Sequence, residues 1–485
     1  RVAFALSQLL VVSSQSTKLN FRGDSTSYYY DILARHAFSN YRDLLTEVST
    51  SVAMGIFLSH QGNKKYDPDK KTYPDENYAR ELMQLFTLGL WELNDDGSMK
   101  EDANGSPIPT YTQEDVEALA RVMTGYDIKG NSRYGRQSRG NGEKWADAME
   151  FTSDFHDYGA KTFLKQTIAE ETPSQEPAKD LSKALDIIFA HPNVAPYVSR
   201  HLITQLVTSN PSAQYIERVS AVFNNNGSGV KGDLKATVRA ILLDEEARQD
   251  NYKTTQHFGK AKEPLIAFTQ FLRAFHVAPL NGWKSLGETE MQGVYQYRGP
   301  DTHLGQSPLR SPTVFNFFAS DYIPPEPQFK DNSWISPELQ IQSQTMLIRY
   351  SNLLLTLMNS NEKNSILLLK NDSLSEYAKT RNYKNINLLI YFDEELQVFE
   401  QSLDGDTSGD FVGLDDPTKK QQSYQTLLAH LEKKLFAAPL DSTYKDALES
   451  YALTINYADN KKEALQILKD TLRALLTSSQ FMIQK

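Results

Sequence analysis

The segment YPDENYARELMQLFTLGLWELN, residues 73–94, carries polar residues at helical spacing. Asn77, Glu81 and Gln84 share one helix face, because residues three or four apart in a helix are neighbours. Arg80 lies beside them. A carboxylate that transfers a proton beside a guanidinium that holds an anion is a combination typical of active sites. The same row also fits a buried polar network that holds helices together, so both interpretations stay open.

The two glutamates of this segment point in different directions. Glu76 and Glu81 are five residues apart, which places them about 140° apart around a helix. They are therefore poorly placed to act as a paired acid and base on one substrate, and this disfavours a glycosidase dyad within the helix.

A second candidate group is His156–Asp157, in an irregular stretch that continues to Gly159 and Lys161. A histidine next to an aspartate can act as a general base or bind a metal, although a single histidine more often bonds a carbonyl group. Together with Arg121, this pair would complete an enzyme site that includes Asn77 and Arg80. In that site Arg80 would bind an anion, and Glu81 or His156 would act as the base.

The loop DGDTSGDFVGLD, residues 404–415, follows the spacing of a calcium-binding loop. Oxygen ligands are required at positions 1, 3, 5, 7 and 12, with a glycine at position 6. The residues at those ligand positions are Asp404, Asp406, Ser408, Asp410 and Asp415. Position 12 carries Asp instead of the usual Glu, and a solvated turn is the alternative. If the loop binds calcium, we expect a structural rather than a catalytic ion.

Composition excludes several classes of function. The net charge of −10 and the absence of long basic runs disfavour nucleic-acid binding, which depends on phosphate neutralisation. The chain has no cysteine, so disulfides, thiolate metal sites and cysteine nucleophiles are excluded. No apolar stretch approaches the roughly 18 residues that a membrane-spanning helix needs. No GxSxG, Walker or GxGxxG motif occurs in a suitable context.

Apolar residues recur mostly at helical spacing, which predicts a mainly α fold. We expect a multi-helix, bundle-like array with few short strands and a loop-rich Pro/Gly/aromatic segment. The predicted regions are a helical part over 1–280, an irregular segment over 281–345 packed on it, and a C-terminal helical part over 346–485. All three are expected to form one continuous globular unit. The chain opens on RVAFALSQLLVV, which resembles the middle of a helix, so we expect further sequence upstream.

Two local predictions are more specific. Residues 31–60 are expected to form two helices. Thr112 is predicted to cap a helix that begins at TQEDVEALARVM, with Asp115 three residues on completing a near-capping box.

Several segments occur in the same order in a known family: RVAFALSQLLVVS, YYDILARHAFSNYRDLL, YPDENYARELMQLFTLGL, TYTQEDVEALARVMTGY, HDYGAKTFL and SPTVFNFF. The chain resembles the bacterial family called domain of unknown function 1800 along essentially its whole length. One departure is Phe86, since many members carry His at that position.

The resemblance implies a periplasmic or extracellular protein. It also implies a co-encoded partner from the sulfatase-like unknown-function family 1501. We therefore expect a binding or assembly protein that acts with such a partner or with a surface glycan. The alternative is an extracytoplasmic, hydrolase-like enzyme that uses the residues described above.

Overall fold

The computed structural model describes residues 1–16, 18–130, 143–173, 179–279, 300–358, 365–369, 388–404 and 409–485. Helix makes up 53% of the structure and the strands are short, which confirms the predicted mainly α fold. The chain divides into two compact units. The first comprises Arg1–Lys260 and Pro308–Pro337, and the second comprises Ala261–Ser307 and Glu338–Lys485. The three regions expected from the sequence stay a prediction.

The first unit is built mainly of helices. They are α1 (Val2–Leu9), α2 (Gly23–Arg35), α3 (Tyr41–Thr50), α4 (Val52–Phe57), α5 (Asn77–Gln84), α6 (Gln113–Val122), α7 (Asp180–Ala190), α8 (Val194–Leu206), α9 (Ala213–Asn224), α10 (Leu234–Leu243), α11 (Glu245–Arg248) and α12 (Asp250–Lys253), and, after the excursion through the second unit, α15 (Pro327–Lys330).

Two short antiparallel hairpins flank the loop that carries His156. In the first, β1 (Tyr126–Asp127) pairs with β2 (Glu150–Phe151). In the second, β3 (Lys161–Phe163) pairs with β4 (Gln166–Ile168). A 3-10 turn over Ser153–Phe155 leads from the first hairpin into the loop.

The capping box predicted for α6 is confirmed. The Thr112 side chain accepts from the backbone N–H of Asp115, and the Asp115 carboxylate accepts from that of Thr112. The second carboxylate oxygen of Asp115 accepts from the N–H of Leu164 at 2.7 Å. One side chain therefore starts α6 and fixes the turn between β3 and β4.

The helix predicted over residues 73–94 is shorter than expected, because it ends at Gln84. The chain then turns outward at Gly89, where φ is +77° and a Cβ would lie 3.0 Å from the Tyr197 ring. The buried Asn193 side chain stabilises the segment that follows. Its amide nitrogen donates to the carbonyls of Leu88 and Trp91, and its oxygen accepts from the N–H of Leu93.

The prediction of two helices over residues 31–60 was wrong, because three helices cover this region. The second of the expected helices is interrupted at Ser51, whose φ and ψ of −71° and 139° are extended. The Ser51 hydroxyl accepts from the N–H of Met54 and starts α4. A serine that bonds the backbone ahead of it favours a new helix start over continuation.

Tyr29 and Tyr41 occupy the core of the first unit, and the hydroxyl of each has a partner. Tyr29 donates to the carbonyl of Leu10 at 2.7 Å, and Tyr41 donates to that of Phe86 at 2.6 Å. Phe86 is itself fully buried. Phe86, noted in the sequence as a departure from the expected family pattern, is therefore part of the core in this chain.

The second unit has its own hydrophobic core. Its three-stranded antiparallel sheet has the order β6–β8–β7, with β6 (His276–Pro279), β7 (Ser365–Leu369) and β8 (Leu388–Tyr391). Its helices are α13 (Pro264–Ala274), α14 (Pro300–Leu304), α16 (Gln344–Met358), α17 (Asp393–Asp404), α18 (Pro417–Leu435), α19 (Ser442–Thr454), α20 (Asn460–Thr477) and α21 (Ser479–Met482). Two elements span the chain positions at which the units divide, strand β5 (Lys260–Ala261) and a 3-10 turn over Pro337–Gln340, and the last strand is β9 (Ile483–Gln484). Within the described residues, no helix has the length and hydropathy needed to cross a bilayer.

His60 makes the stability of the first unit sensitive to acid. Its ring is fully buried against Tyr78, and its Nε2 lies 2.9 Å from the carbonyl of Ser49. Burial lowers the pKa of His60 to about 4, although the bond to Ser49 acts in the opposite direction. Between pH 6.5 and 4 the unfolded chain therefore binds a proton at His60 that the folded protein does not.

Over this pH range we expect the unfolding free energy of the protein to fall, relative to that of His60→Gln, by on the order of 3 kcal/mol. Denaturant titrations at several pH values measure this difference. Parallel pH profiles for the two proteins would show that His60 does not titrate as its burial requires.

Candidate functional site

Helix α5 presents its polar row in three different environments. Asn77 is exposed, and its N–H bonds the Asp75 carboxylate at 2.9 Å, which caps the start of the helix. Gln84 is half-buried and accepts from the hydroxyl of Tyr111 at 3.2 Å. Glu81, between them, is buried. The three polar side chains therefore share one helix face, but they are not equally accessible to a ligand.

Arg80 is held by two neighbours. Its guanidinium bonds Glu76 at 2.9 Å, one turn earlier, and Gln113 at 3.0 Å, in the first turn of α6. Gln113 also donates to Glu76 at 2.8 Å, which closes a small network between the two helices. This arrangement matches the interpretation of Arg80 as a residue that joins helices.

Glu81 is the residue of α5 whose environment best fits acid–base chemistry. Only 7% of the residue is exposed, and its Oε2 has no hydrogen-bond partner among the residues that the structure describes. Burial raises the pKa of Glu81, while the charge of Arg80 partly opposes this shift. A carboxyl group that keeps its proton longer than usual can donate it to a reacting group.

The loop after β2 buries His156 in the first unit. Its Nδ1 lies 2.8 Å from the carbonyl of Thr124, just after α6, and its Nε2 lies 3.1 Å from the Asp180 carboxylate, at the start of α7. Gly125 makes this approach possible, because φ there is +88° and a Cβ would lie 3.1 Å from that of His156.

Lys161 completes a buried charged cluster. Its ammonium lies 3.0 Å from the same Asp180 carboxylate and also donates to the carbonyls of Asp157 and Gly159. The side chains of His156, Lys161 and Asp180 are 1–2% exposed. We call these three residues the buried charged cluster. A substrate would have to displace packed atoms to reach it, so its geometry fits a structural role.

Arg121 and Asp157 border the cluster as a two-pronged ion pair. Arg121 Nε and Nη2 donate to the two carboxylate oxygens of Asp157 at 2.8 and 2.9 Å, and Nη1 donates to the carbonyl of Ala160 at 3.0 Å. Burial tends to raise the pKa of Asp157, but the bonds and charge of Arg121 outweigh it and lower that pKa. A Cβ at Gly159 would lie 2.8 Å from Arg121 Nη2, so glycine leaves room for the pair.

The structure brings together Arg121, His156 and Asp157 but not the α5 candidates. Arg80 contacts Gln113 at the start of α6, whereas Arg121 lies at the end of the same helix. Gln113 and Arg121 are eight positions apart in the helix, or about 12 Å along the axis. The candidate residues therefore form two groups, and whether either acts in catalysis stays a prediction.

A pocket of about 370 Å³ opens elsewhere on the first unit. Its lining combines aromatic and polar side chains: Lys18, Phe21, Arg22, Gln61, Ile128, Glu143 and Trp145. Phe21 is 87% exposed, more than any other large hydrophobic side chain among the described residues. Large apolar surface beside a few polar groups is typical of small-molecule sites.

The polar side chains hold the pocket wall in place. The Arg22 guanidinium lies 3.9 Å from the centroid of the Trp145 ring, and the indole nitrogen donates to Glu143 at 3.1 Å. Arg22 also lies 3.8 Å from Glu143. Trp145 is therefore fixed on one face by Arg22, while Phe21 offers its ring to solvent.

The predicted calcium loop is described only in part. Asp406 and Ser408 fall outside the described residues, and so does the side-chain environment of Asp404. Asp410 and Asp415 are exposed. Position 6 of the loop, Gly409, has φ of +85°, the conformation that a turn at this position requires. Calcium binding stays a prediction.

Comparison of the sequence with known protein families identifies a match over almost the whole chain. Residues 1–483 match the family described as Protein of unknown function (DUF1800). The chain belongs to the DUF1800 family. No curated protein and no solved structure matches it. The resemblance inferred from the sequence is confirmed. The description of the DUF1800 family assigns no activity.

Some site residues of this DUF1800 protein carried no recognisable signal in the sequence. Asp180 begins α7, where an acidic residue is expected simply to favour the helix dipole. Phe21 and Trp145 stand in short non-helical stretches without periodicity. Only spatial proximity shows that Asp180 faces His156 and that the two aromatics share a pocket.

Removing the Asp180 carboxylate from the buried charged cluster should leave the buried Lys161 ammonium uncompensated. We expect Asp180→Asn to lower the unfolding free energy of the DUF1800 protein by roughly 3–5 kcal/mol. Asp186→Asn on the same helix is the matched control. Its carboxylate, paired with Arg42, is 64% exposed, so we expect a loss of less than about 1 kcal/mol. Denaturant unfolding measures both values, and equal losses would contradict a special role for the cluster.

Proposed function

We propose that this DUF1800 protein is a binding protein and that its ligand, a glycan, occupies the pocket lined by Phe21 and Trp145. The observation that carries the proposal is the solvent-facing Phe21 ring at the edge of a pocket with hydrogen-bonding groups. The C–H face of a sugar ring packs on an aromatic ring, while amide, carboxylate and ammonium groups bond its hydroxyls. Gln61, Glu143 and Lys18 supply those three kinds of group.

The volume and charge of the pocket limit the size and charge of the glycan that it can bind. A volume of about 370 Å³ accommodates one or two sugar units rather than a long chain in full contact. Its side chains carry both signs of charge, so the proposed ligand is a neutral or weakly charged sugar. A longer glycan would therefore bind through one end or one short segment.

Glycan binding can be tested by titrating short oligosaccharides into the protein and following tryptophan fluorescence, since Trp145 lines the pocket. We expect Phe21→Ala to weaken binding at least about tenfold, because it removes an aromatic contact surface. Tyr73→Ala is the matched control, since Tyr73 is 75% exposed but does not line the pocket. Equal affinities for the protein and for Phe21→Ala would exclude this pocket as the binding site.

Glu81 supports a second candidate function. Its raised pKa and its buried, unpartnered oxygen fit a proton donor in a hydrolase-like enzyme. The same oligosaccharides serve to separate the two functions. Cleavage products in the mass spectrum that disappear in Glu81→Gln would favour the enzyme, whereas unchanged oligosaccharides favour binding alone.

Location and partners follow from the family resemblance and stay predictions. The proposal places the protein in the periplasm or outside the cell, where surface glycans are found. A co-encoded partner of the sulfatase-like family 1501 is expected there too. Binding of a glycan by one protein and its modification by the other would explain a shared location.

For residues 404–415 we propose a structural calcium ion. A bound ion would stabilise the folded protein, because ligand binding to the native state alone raises its stability. We expect the melting temperature to rise by several degrees in millimolar calcium compared with excess chelator. Asp415→Asn should abolish the difference, while Asp446→Asn, outside the loop, should retain it. An unchanged melting temperature in excess chelator would show that residues 404–415 bind no stabilising calcium ion.

A further inference from the structure

A histidine and two glutamates meet in the second unit, away from every site predicted from the sequence. Glu394 and Glu395 lie in the first turn of α17, and His430 lies on α18. One ligand atom from each residue can be chosen so that all three lie within 4.8 Å of one another. Glu395 is almost fully buried, whereas the Glu394 side chain is 64% exposed.

The distances in this group are wrong for hydrogen bonds. His430 Nε2 lies 3.7 Å from Glu394 Oε1 and 3.6 Å from Glu395 Oε1. Both distances exceed the limit of a hydrogen bond, and within the described part of the chain the buried atom His430 Nε2 has no hydrogen-bond partner. An imidazole nitrogen aimed at two carboxylates across such a gap is a costly arrangement unless something occupies the gap.

The gap has the size that a metal ion would fill. Zinc binds imidazole nitrogen at about 2.0–2.1 Å and carboxylate oxygen at about 2.0–2.2 Å. Two such ligands at a tetrahedral angle are about 3.4 Å apart, close to the distances from His430 to the two glutamates. Three protein ligands, one of them exposed, would leave a coordination position open to water or a ligand.

Lys434 is the present counter-ion of the two glutamates. Its ammonium, one turn after His430 on α18, lies 2.8 Å from Glu394 Oε2 and also bonds Glu395. The Lys434 side chain is 20% exposed, so it can turn towards solvent when another cation takes its place. The lysine satisfies the carboxylates but not His430, because no described residue offers a hydrogen-bond partner to its Nε2.

From this geometry we infer that Glu394, Glu395 and His430 form a binding site for a divalent transition-metal ion, for which zinc is the probe. The ion binds the neutral imidazole and the two carboxylates, and it displaces the ammonium of Lys434. Mixed nitrogen and oxygen ligands suit zinc better than calcium or magnesium, which prefer oxygen alone. This site is independent of the proposed glycan pocket and of the loop at residues 404–415.

The test is calorimetric titration of the full, untagged chain with zinc chloride. We expect one saturable site per chain. His430→Ala should weaken binding at least about tenfold, since it removes one of three ligands. His36→Ala is the matched control, because His36 bonds Glu47 directly at 2.8 Å and leaves no gap. No saturable site, or equal zinc affinity in the protein and in His430→Ala, would overturn the inference.

Substitution of Lys434 provides a second test, because loss of a purely structural ion pair would not make the protein bind zinc more tightly. Lys434→Met removes the competing cation, so zinc should bind more tightly, by about tenfold or more. Lys434→Gln can replace it if the methionine variant does not fold, because glutamine still donates to Glu395. Weaker zinc binding in the variant that folds would show that the lysine does not compete with a metal, and the inference would fail.

Discussion

Burial of charge is the constraint on which the first unit depends most. His156, Lys161 and Asp180 have almost no contact with water, and each is held by groups from separate segments of chain. A buried charge without compensation costs several kcal/mol, so these segments can pack only when all three side chains are in register. The Asp180 carboxylate at the start of α7 thereby joins strand β3 through Lys161, and it joins the end of α6 through the His156 ring. Such a network specifies one packing rather than adding much stability.

The parts of this fold that could be predicted from the sequence are those that depend on neighbouring residues. The Thr112–Asp115 box spans four residues, and the structure has it as expected. The mainly α class follows from periodicity summed over many helices. The early end of α5 could not be predicted in this way, because Asn193, about a hundred residues later, bonds the segment that leaves the helix.

The candidate site shows the same division. The pattern around His156, Asp157 and Lys161 was visible because those residues are adjacent in the chain. Their partner Asp180 was not, since an acidic residue at a helix start has a sufficient local explanation. Residue type alone connected the two halves of the expected enzyme site. In the structure the length of helix α6 separates the two groups, and residues that act together in catalysis must lie closer to one another than that.

The Asn193 amide has a consequence for the chemical ageing of the protein. Its nitrogen donates to two carbonyls and its oxygen accepts from one N–H, so the side chain uses both ends of its dipole. Deamidation would replace the donor with a negatively charged oxygen facing the carbonyls of Leu88 and Trp91. One spontaneous hydrolysis would then turn two of the three attractive contacts into repulsive ones. Burial of Asn193 also protects its side chain from deamidation, because water reaches a fully enclosed amide slowly.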